Sequence, residues 1–306
     1  MPSLRQLEYL VAVAGTRHFR RAAEKVNTTQ PTLSEQIKAL EGRLGAQLVE
    51  RTRSRVILTP LGQQVAEVAK RMLRDAQEIR DLAAIGDREL GGVIRLGLPP
   101  TIGPYLLPRV VPELHVKYPD LRLYAREELP LALPTALQEG SHDLIIAPLP
   151  VHGADLHSIA IFREPLYLAV GADHKLAARD SVQRSDLEGE QVLALGHGHQ
   201  LHDLVVALCD EFGAKLRHDY EGTSLDTLRE MVVTGLGITF LPGLYVRSVL
   251  TRDRSIKTLE LRGRSVYRTI GMLWRKSTAR HKSYERLARL FRDIIQSEYD
   301  DFRPPR

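Results

Sequence analysis

The sequence predicts a two-lobed α/β domain preceded by a smaller, mostly α-helical domain that ends in a β-hairpin. Three observations predict this architecture. Apolar residues recur at helical spacing through residues 4–44. A long amphipathic segment follows at 61–86, and strand-like and helix-like segments alternate from residue 91 onward. Such alternation indicates largely parallel sheets with helices on both faces.

Composition limits the class of protein. The chain has 306 residues, of which 43% are hydrophobic and 26% charged, which fits a globular protein of two or three domains. No apolar run reaches the roughly 18 residues that a membrane span needs, and the short apolar stretch at 7–15 makes a poor secretory signal. One cysteine, Cys209, excludes an intrachain disulfide and fits a cytoplasmic protein.

Positive charge is concentrated near the N-terminus. Residues 1–60 contain ten Lys and Arg but five Asp and Glu, so their net charge of +5 equals that of the whole chain. A basic domain on an otherwise neutral chain favours a polyanion as its partner. Charge alone leaves a solvated basic surface as an equally good alternative.

Three short helices and a hairpin are predicted in this basic part. The apolar positions of the first two helices lie at 4–14 and 19–26. A third helix follows the capping residues at 27–29, with Pro31 in its first turn and non-helical geometry expected at Gln30. Two strand-like runs then flank residues 52–54, which predicts a wing with arginines at its tip.

The amphipathic segment at 61–86 predicts one long helix, with Thr59 as its cap and Pro60 in its first turn. Its apolar stripe consists of Leu61, Val65, Val68, Met72, Ile79 and Leu82. A helix longer than most globular helices needs a partner for such a stripe, and the same helix of a second subunit is the simplest one. Packing of the stripe within its own chain is the alternative.

The remainder predicts the α/β domain, after a hinge at Gly86 and Gly91-Gly92. The predicted strands are 93–98, 121–126, 144–148, 166–170, 192–195, 238–241 and 269–274, and the predicted helices are 102–117, 131–140, 200–213, 225–235 and 282–298. We expect the chain to cross between lobes near 164–165 and 267–268, and the tail from Asp300 to be frayed. The predicted domains are thus 1–60, a linker and hinge at 61–90, and 91–306, with lobe 1 at about 91–164 and 269–300 and lobe 2 at about 165–268.

Two stretches resemble LysR-type transcriptional regulators over a long and specific pattern. Residues 19–45 read FRRAAEKVNTTQPTLSEQIKALEGRLG, and the pattern continues through LVER at 48–51 and LTPLG at 58–62. The resemblance implies a winged helix-turn-helix, a linker helix, and a regulatory domain like the periplasmic binding proteins. It also implies homotetramers, promoter DNA, a small effector and RNA polymerase as partners, and activation of transcription.

The C-terminal part resembles the peroxide-sensing OxyR branch of that family. The similar stretches are PTIGPYLLP at 100–108, GHGHQLHD at 196–203, TSLDTLR at 223–229 and GITFLP at 237–242. By this resemblance the peroxide-reactive cysteine falls at Gln200, its resolving cysteine at Cys209, and a nearby threonine at Pro130. Because the disulfide switch needs two thiols, the similarity implies the fold of that branch and not its signal.

The third helix is expected to enter the major groove with its N-terminal residues on base edges. Short or amide side chains on its polar face suit base contacts, together with a proline that can touch thymine methyls: Gln30, Pro31, Thr32, Ser34 and Gln36. Four cations suit phosphate contacts, namely Lys38, Arg51, Arg53 and Arg55. A helix start with ordinary polar caps is the alternative for Gln30 to Gln36.

The resemblance places the effector between the two lobes. Three helices are predicted to begin there, and their N-termini would favour an anionic ligand. The predicted effector residues are Thr101, Ile102, His199, Gln200, Thr223 and Ser224. Caps that only satisfy their own helices are an equally good interpretation of any one of them.

A histidine cluster and the cysteine were also considered as chemical sites. His197, His199 and His202 lie near Asp203, but their spacing lacks a four-ligand pattern, so a polar or pH-responsive cavity wall is expected in preference to a metal site. Cys209 lies among apolar residues and is interpreted as a buried small side chain. No cofactor is predicted.

Two other classes of protein were weighed, an enzyme and a solute-binding protein built on the two-lobed domain. The sequence contains no nucleophile elbow, P-loop, dinucleotide-binding or zinc motif. An enzyme would leave the basic N-terminal domain unexplained, and a solute-binding protein of transport would need an export signal, which is not expected here. We therefore predict a regulator that is not an enzyme.

Overall fold

The computed structural model describes residues 1–51, 56–84, 90–263 and 265–304. It divides into two compact units, Met1–Arg88 and Glu89–Arg306, which we call the head and the body. Each unit has its own hydrophobic core.

Three helices surround the core of the head, as the apolar spacing predicts. They are α1 (Leu4–Thr16), α2 (Phe19–Lys25) and α3 (Gln30–Leu44). Leu33, Ile37 and Leu40 of α3 are fully buried in this core. The opposite face of α3 is therefore the one that stays available to a partner.

The start of α3 differs from the prediction, because Gln30 is already helical. Thr29 takes the cap position, and its side-chain oxygen accepts the backbone N–H of Thr32 at 3.4 Å. Pro31 then occupies the second helical position, where no backbone N–H is needed. The preference of a residue before proline for extended geometry is overridden by this cap.

A small hairpin and a long helix complete the head. Strands β1 (Val49–Arg51) and β2 (Val56–Leu58) pair antiparallel, and α4 follows as Pro60–Ala84. Glu41 of α3 fixes the connection to the hairpin, because its Oε1 accepts the N–H groups of Leu48 at 2.8 Å and Val49 at 2.9 Å. The hairpin therefore keeps a defined position beside α3.

Gly62 allows α4 to begin in contact with the hairpin. A Cβ at this position would lie 2.0 Å from the carbonyl oxygen of Leu48, which no side chain can tolerate. Thr59 donates its backbone N–H to that carbonyl at 3.0 Å, and its Oγ1 accepts the N–H of Gly62 at 2.9 Å. The Thr59–Gly62 segment is thus specified by close backbone packing.

Lobe 1 of the body is a sheet with strand order β4-β3-β5-β12-β6. Its elements in chain order are β3 (Gly92–Leu98), α5 (Gly103–Lys117), β4 (Leu121–Glu127), α6 (Leu133–Gln138), β5 (Leu144–Leu149), β6 (Leu156–Gly171), β12 (Tyr267–Arg275) and α10 (His281–Glu298). Strands β3, β4 and β5 are parallel, as the alternation predicts, whereas β12 runs antiparallel to both of its neighbours.

Lobe 2 is built on the second half of β6. Its elements are β7 (Ser181–Val182), β8 (Gln191–Leu195), α7 (Gln200–Phe212), β9 (Lys215–Gly222), α8 (Leu225–Val233), β10 (Thr239–Pro242), α9 (Gly243–Val249) and β11 (Ile256–Leu261). Strands β10 and β11 pair antiparallel with β6, while β8 and β9 pair parallel. The antiparallel pair β6 and β12 therefore runs between the lobes, with Glu164 opposite Arg268.

Several elements of the body were missed or shortened by the sequence. The segment predicted as a strand at 166–170 is the end of β6, which has 16 residues and begins at Leu156. Strands β9 and β11 were not predicted, because charged residues interrupt their apolar pattern. Helix α9 was missed because its seven residues are mostly apolar, so they show no amphipathic period.

The expectation of a frayed tail is wrong as far as Arg303. Phe302 is buried, and Arg303 forms an antiparallel bridge with Arg163 of β6. Asp301 accepts hydrogen bonds from the Tyr167 hydroxyl and from Nη2 of Arg247, the latter at 2.8 Å. Burial of apolar and ion-paired side chains fixes this segment on the strands between the lobes.

None of the helices in the described residues combines the length and the apolar character that crossing a membrane requires.

Candidate DNA interface and effector cavity

The polar face of α3 presents most of the residues predicted to contact DNA. Gln30, Pro31, Thr32 and Lys38 are exposed, whereas Ser34 and Gln36 are half-buried at its margins. This face lies opposite the buried Leu33, Ile37 and Leu40, so the helix can insert into a groove without losing its own packing.

Two of these polar side chains are already hydrogen-bonded within the head. The Thr32 hydroxyl lies 2.8 Å from that of Thr29. The Oε1 of Gln36 accepts a hydrogen bond from Nε2 of Gln6, a residue of α1, at 3.1 Å. Sequence reasoning missed Gln6, since a polar residue on an amphipathic helix is expected to face water, yet it is 2% exposed.

The predicted phosphate contacts of the wing are only partly described. The backbone of Arg51 ends β1, and its side chain lies outside the described residues, as do Arg53 and Arg55 altogether. Lys38 is therefore the one predicted phosphate contact whose exposure on the head is described.

A cavity of about 330 Å³ opens in the body where α7, β12 and the end of β5 meet. Lobe 1 and the strand β12 contribute Pro148, Leu149, Pro150, Tyr267, Arg268 and Thr269, and α7 contributes Gln200, Leu201, Asp203 and Leu204. Of the six residues predicted to hold an effector, Gln200 is the one that lines this cavity.

Thr101 takes part in a buried network instead of facing a ligand. Its hydroxyl and its carbonyl oxygen accept hydrogen bonds from Nη1 and Nη2 of Arg268, at 3.2 Å and 3.0 Å. Nε of Arg268 donates to Glu164, whose other oxygen accepts the N–H of Leu244 at 3.0 Å. Burial raises the pKa of Glu164, and the attraction of Arg268 opposes this shift.

The other predicted effector residues are dispersed. The Ile102 side chain is fully buried in the body core, while Thr223 is exposed at the turn before α8. Ser224 caps α8, because its Oγ accepts the N–H of Thr227 at 3.2 Å. The three helix N-termini therefore do not bring Thr101, Gln200 and Thr223 together at the described cavity, because Thr101 is bound to Arg268 and Thr223 is exposed before the cap of α8.

The start of α7 carries polar atoms without partners. Within the described residues, Oε1 of Gln200 and Nδ1 of His199 are buried and make no hydrogen bond. Burial, followed by the neighbouring His202, lowers the pKa of His199. His202 Nδ1 lies 2.7 Å from the Leu195 carbonyl oxygen, to which it donates, and its ring packs on the exposed His197. From this region Gln200 and Asp203 line the cavity, whereas the three histidines are not among its lining residues.

The nitrogen and oxygen atoms of His157, His281 and Glu285 lie within 4.8 Å of one another, close enough to suggest a metal site. The hydrogen bonds argue against it. The indole N–H of Trp274 donates to Nδ1 of His281 at 2.9 Å, so a neutral His281 carries its proton on Nε2, which faces Glu285 at 3.3 Å. A metal-bound histidine instead donates from its second nitrogen to an acceptor.

Cys209 is a buried residue of α7 with 3% exposure. Burial, and to a lesser degree Asp210, raises the pKa of its thiol to about 11. A thiol of this kind is almost entirely protonated at neutral pH and reacts poorly with oxidants. The structure thus agrees with a packing role for this side chain.

Two family models match the chain and together cover most of it. Residues 4–63 match the bacterial regulatory helix-turn-helix protein of the lysR family, and residues 87–298 match the LysR substrate binding domain. The chain belongs to the LysR family. Its members are DNA-binding transcription regulators, so the enzyme and the solute-binding protein are set aside.

Relatives and solved structures point to the OxyR branch of the LysR family. The DNA-binding transcriptional dual regulator OxyR of Escherichia coli is 39% identical over 298 residues, 97% of each chain. The hydrogen peroxide-inducible genes activator of Haemophilus influenzae is 37% identical over 97% of this chain and 99% of that one. A full-length OxyR structure from Pseudomonas aeruginosa superposes with a TM-score of 0.74 at 36% identity, covering 95% of this chain and 98% of that one.

Removing the carboxylate charge of Glu164 should destabilise the body. In Glu164→Gln the guanidinium of Arg268 stays buried without its counter-ion, so we expect the free energy of unfolding to fall by about 3–5 kcal/mol. Urea unfolding followed by circular dichroism measures this loss.

The matched control is Glu298→Gln, which breaks the 2.7 Å ion pair with Arg109 at a partly exposed position. That change should cost less than about 1 kcal/mol. Equal losses in the two variants would contradict a special role for the buried pair.

Proposed function

We propose that this LysR-family regulator places α3 in the major groove of promoter DNA and takes a small effector into the cavity beside α7. The observation that carries the proposal is the exposed polar face of α3, opposite a fully buried apolar face and next to the hairpin. In this arrangement Gln30, Pro31, Thr32, Ser34 and Gln36 contact bases. Lys38, Arg51, Arg53 and Arg55 contact phosphates and set the register.

We propose self-association through α4, and the exposure of its apolar residues supports this. Leu61, Val68, Met72 and Ile79 are 44–68% exposed in the single chain. Together with Val65 they occupy the two apolar positions of a heptad repeat, whereas Ala66 and Ala69 on the adjacent flank are buried, and α4 contacts α1. A second copy of α4 would cover this stripe.

A second self-association surface is proposed on lobe 1. Val116 near the end of α5 is 83% exposed, and Tyr124 on the edge strand β4 is 62% exposed. Large apolar side chains at an uncovered sheet edge favour pairing with another chain. Two dimers joined in this way form the tetramer that the family resemblance implies, and such an assembly would meet RNA polymerase at the promoter.

The residues that line the cavity change the charge that we expect the effector to carry. An anion was predicted from three converging helix N-termini, but Glu164 balances the charge of Arg268 and Asp203 adds a carboxylate at the cavity. Gln200 offers an unpartnered acceptor. We therefore favour a small uncharged polar effector, with N–H or O–H groups for Gln200 and Asp203 and an apolar part against Leu201 and Leu204.

Peroxide is a poor fit as the signal, although several relatives are named hydrogen peroxide-inducible genes activators. The chain has a single cysteine, so an intrachain disulfide is impossible. We propose that this chain keeps the activator architecture of such relatives with a different effector.

DNA binding is tested with the full chain on a fragment of its own promoter region, by fluorescence anisotropy over a range of salt concentrations. Lys38→Ala should weaken binding to every sequence and flatten the slope of log affinity against log salt by about one, because one phosphate contact is lost. Lys117→Ala, which removes an exposed charge of the body, should leave the slope unchanged. Failure of the parent chain to bind in dilute salt would refute the proposal.

Disrupting the α4 stripe should reduce the size of the assembly. Met72→Glu puts a charge at a heptad core position, so the measured mass in light scattering should halve at micromolar concentration. Gln77→Glu adds the same charge on the outer side of α4 and should leave the mass unchanged. An unchanged mass in both variants would place the self-association elsewhere.

Peroxide treatment should leave Cys209 of the folded chain unmodified and the DNA affinity intact. With a thiol pKa of about 11, roughly one molecule in ten thousand carries the reactive thiolate at pH 7. The mass of the peptide that contains Cys209 and the DNA affinity, measured before and after treatment, test this. Oxidation in urea serves as the positive control, and a peroxide effect on binding that Cys209→Ser abolishes would contradict it.

A further inference from the structure

The side chain of Gln6 lies buried between α1 and α3, and its hydrogen bonds fix which end of its amide is which. Its Oε1 receives the backbone N–H of Ser3 at 3.2 Å and Nη1 of Arg43 at 3.4 Å. Both partners can only donate, so the atom that they contact is the oxygen. The amide nitrogen of Gln6 must then be the atom on the other side, toward Gln36.

The orientation of the Gln6 amide also determines the orientation of the Gln36 amide. The Nε2 of Gln6 lies 3.1 Å from the amide of Gln36, and because a nitrogen donates there, the atom of Gln36 that accepts is its oxygen. The NH2 group of Gln36 therefore points away from Gln6. Gln36 is half-buried at the margin of the polar face of α3, where this group meets whatever binds the helix.

An amide with its oxygen occupied has a restricted choice of bases. Pairing with adenine uses both ends of an amide, because adenine presents a donor beside an acceptor in the major groove. An NH2 group alone can donate to guanine, which presents two acceptors, and to thymine or adenine, which present one each. Cytosine presents only a donor in that groove and is rejected.

Gln30 provides the contrast on the same helix. It is exposed, and neither end of its amide has a partner among the described residues. Gln30 therefore keeps both a donor and an acceptor for DNA, which is the arrangement that reads adenine. Two glutamines of one helix thus differ in what they can recognise, because only one of them contacts Gln6.

We propose that Gln6 is a positioning residue that holds Gln36 as a hydrogen-bond donor, so that α3 rejects cytosine, the base without a major-groove acceptor, at the position that Gln36 meets. The inference rests on the proposed insertion of α3 into the major groove. It assigns a role in sequence readout to a side chain that does not touch DNA.

The substitution Gln6→Glu isolates this effect. A carboxylate at position 6 still accepts from Ser3 and Arg43, and the Ser–Glu pair is the preferred form of a capping box, so α1 keeps its start. A carboxylate has no N–H to give to Gln36. The Gln36 amide must then turn its NH2 group toward Glu at position 6 and its oxygen toward the groove, where it accepts from the amino group of adenine or cytosine.

The experiment selects binding sites from random DNA duplexes with the full chain and with its variants. Between the parent and Gln6→Glu, one position in each half-site should change from rejecting cytosine to rejecting guanine and thymine, by about tenfold in relative affinity, with adenine tolerated by both. The other positions should keep their preferences. Gln36→Ala should lose the preference at that same position, and Gln30→Ala should lose it at a different one.

A second variant keeps the test decisive if the carboxylate disturbs folding. Gln6→Leu has a similar size and no hydrogen-bonding atoms, so the Gln36 amide is free to turn and the base preference should broaden at that one position. Folding of each variant is checked by thermal unfolding. A parent chain that enriches no sequence refutes the DNA-binding proposal itself, whereas a parent that enriches a site shared unchanged by both Gln6 variants overturns this inference alone.

Discussion

The buried ion pair between Glu164 and Arg268 is the interaction on which the body depends. Both residues lie on the strands that run between the lobes, and both are almost completely excluded from water. A buried charge is tolerable only with its counter-ion and hydrogen bonds, so these two side chains must stay together. Their remaining hydrogen bonds reach Thr101 before α5 and Leu244 in α9, so the pair links both lobes beside the cavity that Arg268 lines.

The same requirement explains why the cavity differs from the one that the sequence suggested. Thr101 follows a strand and precedes a helix, a position typical of ligand-binding residues, and nothing in its local sequence shows that a guanidinium 167 positions away uses its oxygens. Gln200 is the exception, because its place in the first turn of α7 follows from local sequence alone. Contacts between residues far apart in the chain therefore determine that Gln200 lines the cavity and that Thr101 does not.

The head could be predicted more completely than the body. Leu33, Ile37 and Leu40 carry an apolar period that fixes the buried face of α3, and the exposed face follows by exclusion. In the body, β9 and β11 carry charges at solvent-facing positions, and α9 is buried without a polar face, so no period marked them. The burial of Gln6 was not predicted, because an amide on an amphipathic helix is recognised as buried only from its hydrogen bonds to residues of other elements.

The position of Trp274 gives the molecule a built-in optical reporter. It is the only tryptophan of the chain, its side chain is fully buried in lobe 1, and its indole N–H is held by His281. Indole fluorescence of the intact protein therefore arises from one location, and the head contributes none. A change of this emission on addition of an effector therefore reports repacking around β12, the strand that also lines the cavity. DNA contacts that the head alone makes should leave the emission unchanged.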